Sequence, residues 1–196
     1  MLDFTIGKRL QVRVMPSAVA LWLCFFAFVP PLQAVVLAVA MLLHECGHLC
    51  MLFGLGKGRV RLRLSCFGAQ LLANGQIVPY SAQIRISLGG VLFNLLSALL
   101  VGLFFRFFAW SLLFVVSSLV IAVLNLIPVR ALDGGRALEA MLLCRMEPEQ
   151  VDGILCRVNV VCLLGLFALS FYVLWASGFN FSLLLFTLYL SLCSFW

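Results

Sequence analysis

Residues 32–54 read LQAVVLAVAMLLHECGHLCMLFG, an apolar run of helix length that carries His44, Glu45 and His48, and these are the only two histidines in the chain. A bilayer core of roughly 30 Å needs about 20 apolar residues per helix, so the run is long enough to cross. An ionisable group near the middle of such a helix costs on the order of 3 kcal/mol on the insertion scale, and groups kept there are functional by default. Fold class and chemistry both follow from this stretch.

Outward from it, the 196 residues are 65% hydrophobic and only 10% charged, with a mean hydropathy of +1.19. That balance lies outside soluble globular domains and implies an integral membrane protein. Charge-free runs extend from Val14 to Leu43, Ile86 to Phe105, Phe107 to Val129 and Val158 to Trp196. The first and last are too long for single helices at about 1.5 Å per residue. Pro30 and Pro31 break the first, because proline donates no backbone hydrogen bond and restricts its predecessor. Gly178 and Asn180 break the last. The expected fold is therefore an all-α polytopic bundle of six transmembrane helices, at about 15–29, 32–53, 87–106, 110–128, 156–176 and 180–196.

Six crossings put both termini on one side, and of the 13 Lys and Arg residues all but Arg106 fall on that side. The positive-inside rule then makes the termini and the two long loops cytoplasmic, in a multi-pass protein of the cell membrane. The net charge of +6 is thus topological, and no exposed basic domain is present to suit a nucleic-acid partner. KRLQVRV and the apolar residues after it lack a small-x-small cleavage site, which argues against a secretory signal. The eight cysteines show no disulfide-framework spacing and read mainly as small buried apolar residues.

Between the second and third helices, Arg59 to Leu64 alternates strictly, and Asn74-Gly75 is a strong hairpin signal. A β-hairpin or small sheet over 59–77, at the cytoplasmic face, is expected. A seventh span is disfavoured by Gln70, Asn74, Gln76, Pro79, Ser81 and Gln83, since polar groups in hydrocarbon need partners. Residues 1–196 read as a single domain without repeats.

His44 and His48 stand four apart, on one helical face, and can offer ring nitrogens to one metal ion. Zinc suits such a pair, and Glu45 lies close enough to take a proton from an activated water without being a ligand. Cys46 and Cys50 point about 200° away and should face neighbouring helices. A catalytic zinc site takes three protein ligands. Asp133, within NLIPVRALDGGRALEA, is the only acidic residue between Glu45 and Glu139. Pro128 ends regular helix before it, and Gly134-Gly135 allows close packing, so Asp133 is expected on a short irregular segment turning back into the bundle. Asp-Gly-Gly alone would read as a loop turn. A dihistidine site that needs a third ligand reverses that reading.

HECGH and NLIPVRALDGGR together resemble the two signature motifs of the site-2 protease family of intramembrane zinc metalloproteases. The six-helix size without a PDZ domain resembles the branch of stage IV sporulation protein FB, here without that branch's soluble CBS domain. The resemblance implies His44, His48 and Asp133 as ligands of one zinc per chain, with Glu45 as catalytic base. It also implies substrate-binding roles for Asn125, which opens the second motif, and for Asn94, in GVLFN. Val91 stands where the family often has proline, and Arg130-Ala131 where another proline is common. The implied activity is endopeptidase cleavage of a membrane-associated protein, such as a transcription-factor precursor or anti-sigma factor, in regulated intramembrane proteolysis. The competing expectation is a metal transporter or non-catalytic scaffold, which should show polar groups on several helices at both membrane depths.

Overall fold

A computed structural model of the chain describes residues 2–6, 10–14, 29–55, 60–65, 68–73, 78–178 and 180–195. Six helices lie among them: α1 (Pro31–Gly54), α2 (Tyr80–Phe104), α3 (Ser111–Leu126), α4 (Asp133–Leu143), α5 (Pro148–Ala176) and α6 (Ser182–Phe195). Helices α1, α2 and α5 are long and apolar enough to cross a membrane, while α3 and α6 are shorter apolar helices. The expected first span at about 15–29 lies almost wholly outside the described residues.

The breaks fall where backbone chemistry puts them. The Pro30 carbonyl accepts the first helical bond of α1 from the Ala34 N–H (2.9 Å), with Pro31 at the position where a missing donor does least harm. Gly178 adopts a positive φ of 67° just past α5, and the Asn180 side chain then accepts from the Ser182 N–H (3.0 Å) to start α6.

Two boundaries and one whole element differ from the sequence reading. Helix α2 begins at Tyr80 rather than near 87, because Pro79 supplies its start and Gln83 and Arg85 are tolerated in its first turns. Helix α5 begins at Pro148 rather than near 156, again behind a proline. Helix α4 was not anticipated.

The loop over 59–77 carries an antiparallel strand pair within a small sheet, closed at a different turn and extended by strands the sequence reading did not anticipate. The strands are β1 (Leu2–Ile6), β2 (Leu10–Val14), β3 (Val60–Ser65) and β4 (Gly68–Ala73), in one four-stranded sheet of order β1-β2-β3-β4. Strand β2 pairs parallel to β3, with Leu10 opposite Val60, so the N-terminal segment and the loop share one sheet. The antiparallel β3–β4 pair closes between Ser65 and Gly68, not at Asn74-Gly75, which lie outside the described residues.

Packing follows membrane rules. Buried positions are mostly small or polar: Ala34, Ala40 and Gly47 on α1, and Ala82, Ser87, Gly89, Gly90 and Ala98 on α2. Large apolar side chains such as Leu96, Leu99, Leu103, Leu164 and Phe171 point outward. Lipid is as apolar as leucine, so burying large side chains gains little and helices associate through close backbone contact. Gly47 and Gly89 show this directly, because a Cβ built on Gly47 would sit 2.4 Å from the Gly89 carbonyl oxygen. Helix α2 is central, packing on α1, α3 and α4. Helices α5 and α6 are joined by a buried hydrogen bond between the Ser170 and Thr187 hydroxyls (2.8 Å).

Candidate metal centre

The close approach of α1 to α2 builds one wall of the site. His44 and His48 project from the buried face of α1, and their rings stand edge to face with centroids 4.7 Å apart. Their Nε2 atoms are 3.2 Å apart. Gly90 of α2 faces them, and a Cβ there would lie 2.6 Å from His48 Nε2 and 2.7 Å from His44 Nε2. Any side chain at position 90 would fill the space toward which both nitrogens point.

Asp133 comes from the other side. It opens α4 rather than lying in irregular chain, which corrects the sequence reading. The irregular part is the link 127–132 that precedes it. Three contacts set the path of this link. Gly134 and Gly135 let it cross the first turn of α4, where added Cβ atoms would meet the Leu126 oxygen at 2.3 Å and the Val129 oxygen at 2.1 Å. The Asn159 side chain of α5, 2% exposed, accepts a hydrogen bond from the Arg130 N–H (3.1 Å). The Arg130 guanidinium pairs in turn with Asp152.

Asp133 Oδ2 thereby lies 2.9 Å from His44 Nε2 and 3.1 Å from His48 Nε2. All three residues are buried, and they are the group of metal-binding side chains brought together among the described residues. Burial alone would raise the pKa of the Asp133 carboxyl, but hydrogen bonding to both histidines outweighs it and holds the group well below the usual carboxylate range. A tetrahedral zinc at 2.0–2.1 Å from each donor separates its ligand atoms by about 3.3 Å. The three observed separations, 2.9, 3.1 and 3.2 Å, are up to 0.4 Å shorter than that triangle, a gap that small side-chain movements would close. Two imidazoles and a carboxylate are also a donor set that leaves a fourth position open.

Glu45 is half-buried beside the triangle, with His48, His44, Asp133 and Arg136 as its electrostatic neighbours. Cys46 and Cys50 lie on the exposed side of α1, away from the site, and among the described residues no neighbouring helix covers them as the sequence suggested. Asn125 donates its carboxamide N–H to the Ile121 carbonyl one turn back in α3 (3.0 Å). Asn94 is completely buried, and its side-chain nitrogen is 3.2 Å from His44 Nδ1. That position turns its carboxamide toward the outer nitrogen of the histidine. On the other imidazole, His48 Nδ1 donates to the Ile86 carbonyl (2.7 Å).

The fold has a counterpart among solved structures. A site-2 protease from Methanocaldococcus jannaschii superposes with a TM-score of 0.70 at 18% sequence identity, over 98% of this chain and 93% of that one. The fold is that of a site-2 protease. The profile of peptidase family M50 matches residues 104–166, the stretch that holds Asn125 and Asp133 but not the two histidines. No curated protein sequence matches the chain.

Sequence reasoning missed Asn159 and the Ile86 carbonyl. Asn159 had a visible signal, an amide within an otherwise apolar span. A backbone carbonyl leaves none.

Proposed function

We propose that the protein is an intramembrane zinc metalloendopeptidase that cleaves a membrane-associated protein, in a multi-pass arrangement with both termini cytoplasmic. The observation that carries this reading is the convergence of His44, His48 and Asp133 on one point from elements distant in sequence, with Glu45 beside them. His44, His48 and Asp133 would hold one zinc ion through Nε2, Nε2 and a carboxylate oxygen. Zinc there supplies a Lewis acid that polarises the scissile carbonyl and lowers the pKa of water at the site.

The rest of the chemistry belongs to the chain. The Glu45 carboxylate accepts a proton from the attacking water and returns it to the departing amine nitrogen. The buried wall formed by α1 and α2 limits bulk water, which strengthens these charge interactions. Asn125, on the helix that leads into the Asp133 link, is proposed to contact the substrate backbone. The substrate class is a membrane-tethered regulator, such as a transcription-factor precursor or anti-sigma factor, released by regulated intramembrane proteolysis. A place in the stage IV sporulation branch rests on the six-helix size and the paired motifs.

The test is Glu45→Gln, which keeps size and polarity but cannot accept the proton. Co-expressed with single-span reporter proteins that the wild type cuts, the variant should retain its zinc and lose cleavage by about 10²–10⁴-fold. Cleavage at the wild-type rate would remove Glu45 from the mechanism.

A further inference from the structure

We infer that Asn94 is a positioning residue for His44, its carboxamide oxygen accepting the His44 Nδ1–H when the metal site is filled. This rests on the zinc reading above and extends it to how each imidazole is prepared. The two rings present the same Nε2 atom to the site, yet their outer nitrogens meet different chemistry. His48 Nδ1 lies 2.7 Å from the Ile86 carbonyl oxygen, which can only accept. That keeps a proton on His48 Nδ1 and makes Nε2 the nitrogen that can give a lone pair to a metal ion, as a ligand requires.

His44 Nδ1 instead faces the side-chain nitrogen of Asn94 at 3.2 Å, while the Asn94 carboxamide oxygen has no hydrogen-bond partner. Nitrogen facing nitrogen suits the histidine only with its proton on Nε2, where it points at Asp133 Oδ2, 2.9 Å away. For Nε2 to offer its lone pair to a metal ion, the neutral ring must be in the other tautomer, with its one proton on Nδ1. Two donors would then oppose each other, beside a buried oxygen that lacks a donor. Turning the carboxamide by 180° removes both faults, because its oxygen and nitrogen are nearly the same size. An amide can serve either tautomer, whereas the carbonyl at Ile86 serves one. Asn94 is completely buried and belongs to α2, the helix that also contributes Gly90 to the site. The same helix thus forms a wall of the site and sets the orientation and tautomer of one ligand. Outer hydrogen bonds of this kind typically change metal affinity by about 10–100-fold.

The chain contains only two histidines, so ¹⁵N-histidine labelling with a histidine-free purification tag gives a spectrum of His44 and His48 alone. In the zinc-loaded wild type, both rings should be protonated at Nδ1 with zinc on Nε2. Asn94→Leu, close in volume, should bind zinc about 10–100-fold more weakly in a chelator competition. It should also lose the hydrogen-bonded Nδ1–H signal of His44 and leave that of His48 unchanged. Asn94→Asp, which can only accept, should restore the His44 signal and bind zinc at least as tightly as wild type. A role in packing alone predicts the reverse order, with leucine tolerated and a buried carboxylate harmful. Wild-type affinity and an unchanged His44 signal in Asn94→Leu would overturn the inference while leaving the zinc reading intact. Wild-type protein that takes up no stoichiometric zinc would overturn both.

Discussion

His44 and His48 converge because they stand one turn apart on a continuous helix, whereas Asp133 reaches them from a short helix behind a link that other elements must hold. The first half of the site needs only helical spacing and a glycine-lined neighbour. The second half depends on Gly134, Gly135 and Asn159, each acting on backbone rather than on the ligand itself. The contrast teaches where such a site is vulnerable. Damage to the helical half should empty the site without unfolding the protein, and damage to the link should do both.

The sharpest way to break this comparison is to place one methyl group in each half. Gly90→Ala would put a Cβ 2.6–2.7 Å from the two Nε2 atoms, which sit on side chains that can turn aside. Zinc affinity should fall by about 100-fold or more, beyond the effect expected from an outer hydrogen bond, with little change in melting temperature. Retention of wild-type affinity would mean that the space beside Gly90 is not the metal position. Gly135→Ala meets the Val129 backbone at 2.1 Å, where nothing flexible can yield. It should destabilise the protein by about 1–3 kcal/mol, as overpacking does, and weaken zinc binding as Asp133 shifts. Gly165→Ala, with nothing within 4 Å of its Cβ, serves as the control that should be neutral or stabilising. If Gly135→Ala behaves like this control in a thermal melt, the close crossing of link and helix is wrong.

Asn159→Leu sharpens the comparison with a smaller effect. The Arg130 N–H would lose its acceptor, a loss of about 1 kcal/mol for a part-buried donor. Zinc binding should weaken through Asp133 alone, so the ¹⁵N signal of the His48 Nδ1–H should stay where it is. A shift of that signal would show that the two halves are coupled more tightly than their contacts indicate.

The same contrast explains what could be read in advance. The spacing of His44, Glu45 and His48 on a helix of bilayer length was legible because it depends on local periodicity and the cost of buried charge. Pro30-Pro31, Gly178 and Asn180 marked real boundaries for similar local reasons. Asp133 could be selected as the available acid, but not its place at the head of α4, which depends on Asn159 and on glycine contacts across the link. Alternation after Arg59 signalled strand, yet the parallel pairing of β3 with Leu10–Val14 joins segments separated by all of α1, and no local pattern encodes that. Asn94 was selected by motif, but its contact with His44 could not be read there. Its partner, His44, lies on a different helix, and only the packing of α1 on α2 brings the two together.

The central claim is that two histidines of α1 and an aspartate at the head of α4 bind one catalytic metal ion. Elemental analysis of the purified full chain, side by side with His48→Ala, Asp133→Ala and Glu45→Gln, tests it most directly. About one zinc per chain is expected in the wild type and in Glu45→Gln, because three protein ligands suffice for a catalytic site and Glu45 is not among them. The His48 and Asp133 variants should retain far less. Full zinc in both of those variants, or loss of zinc in Glu45→Gln alone, would contradict the assignment.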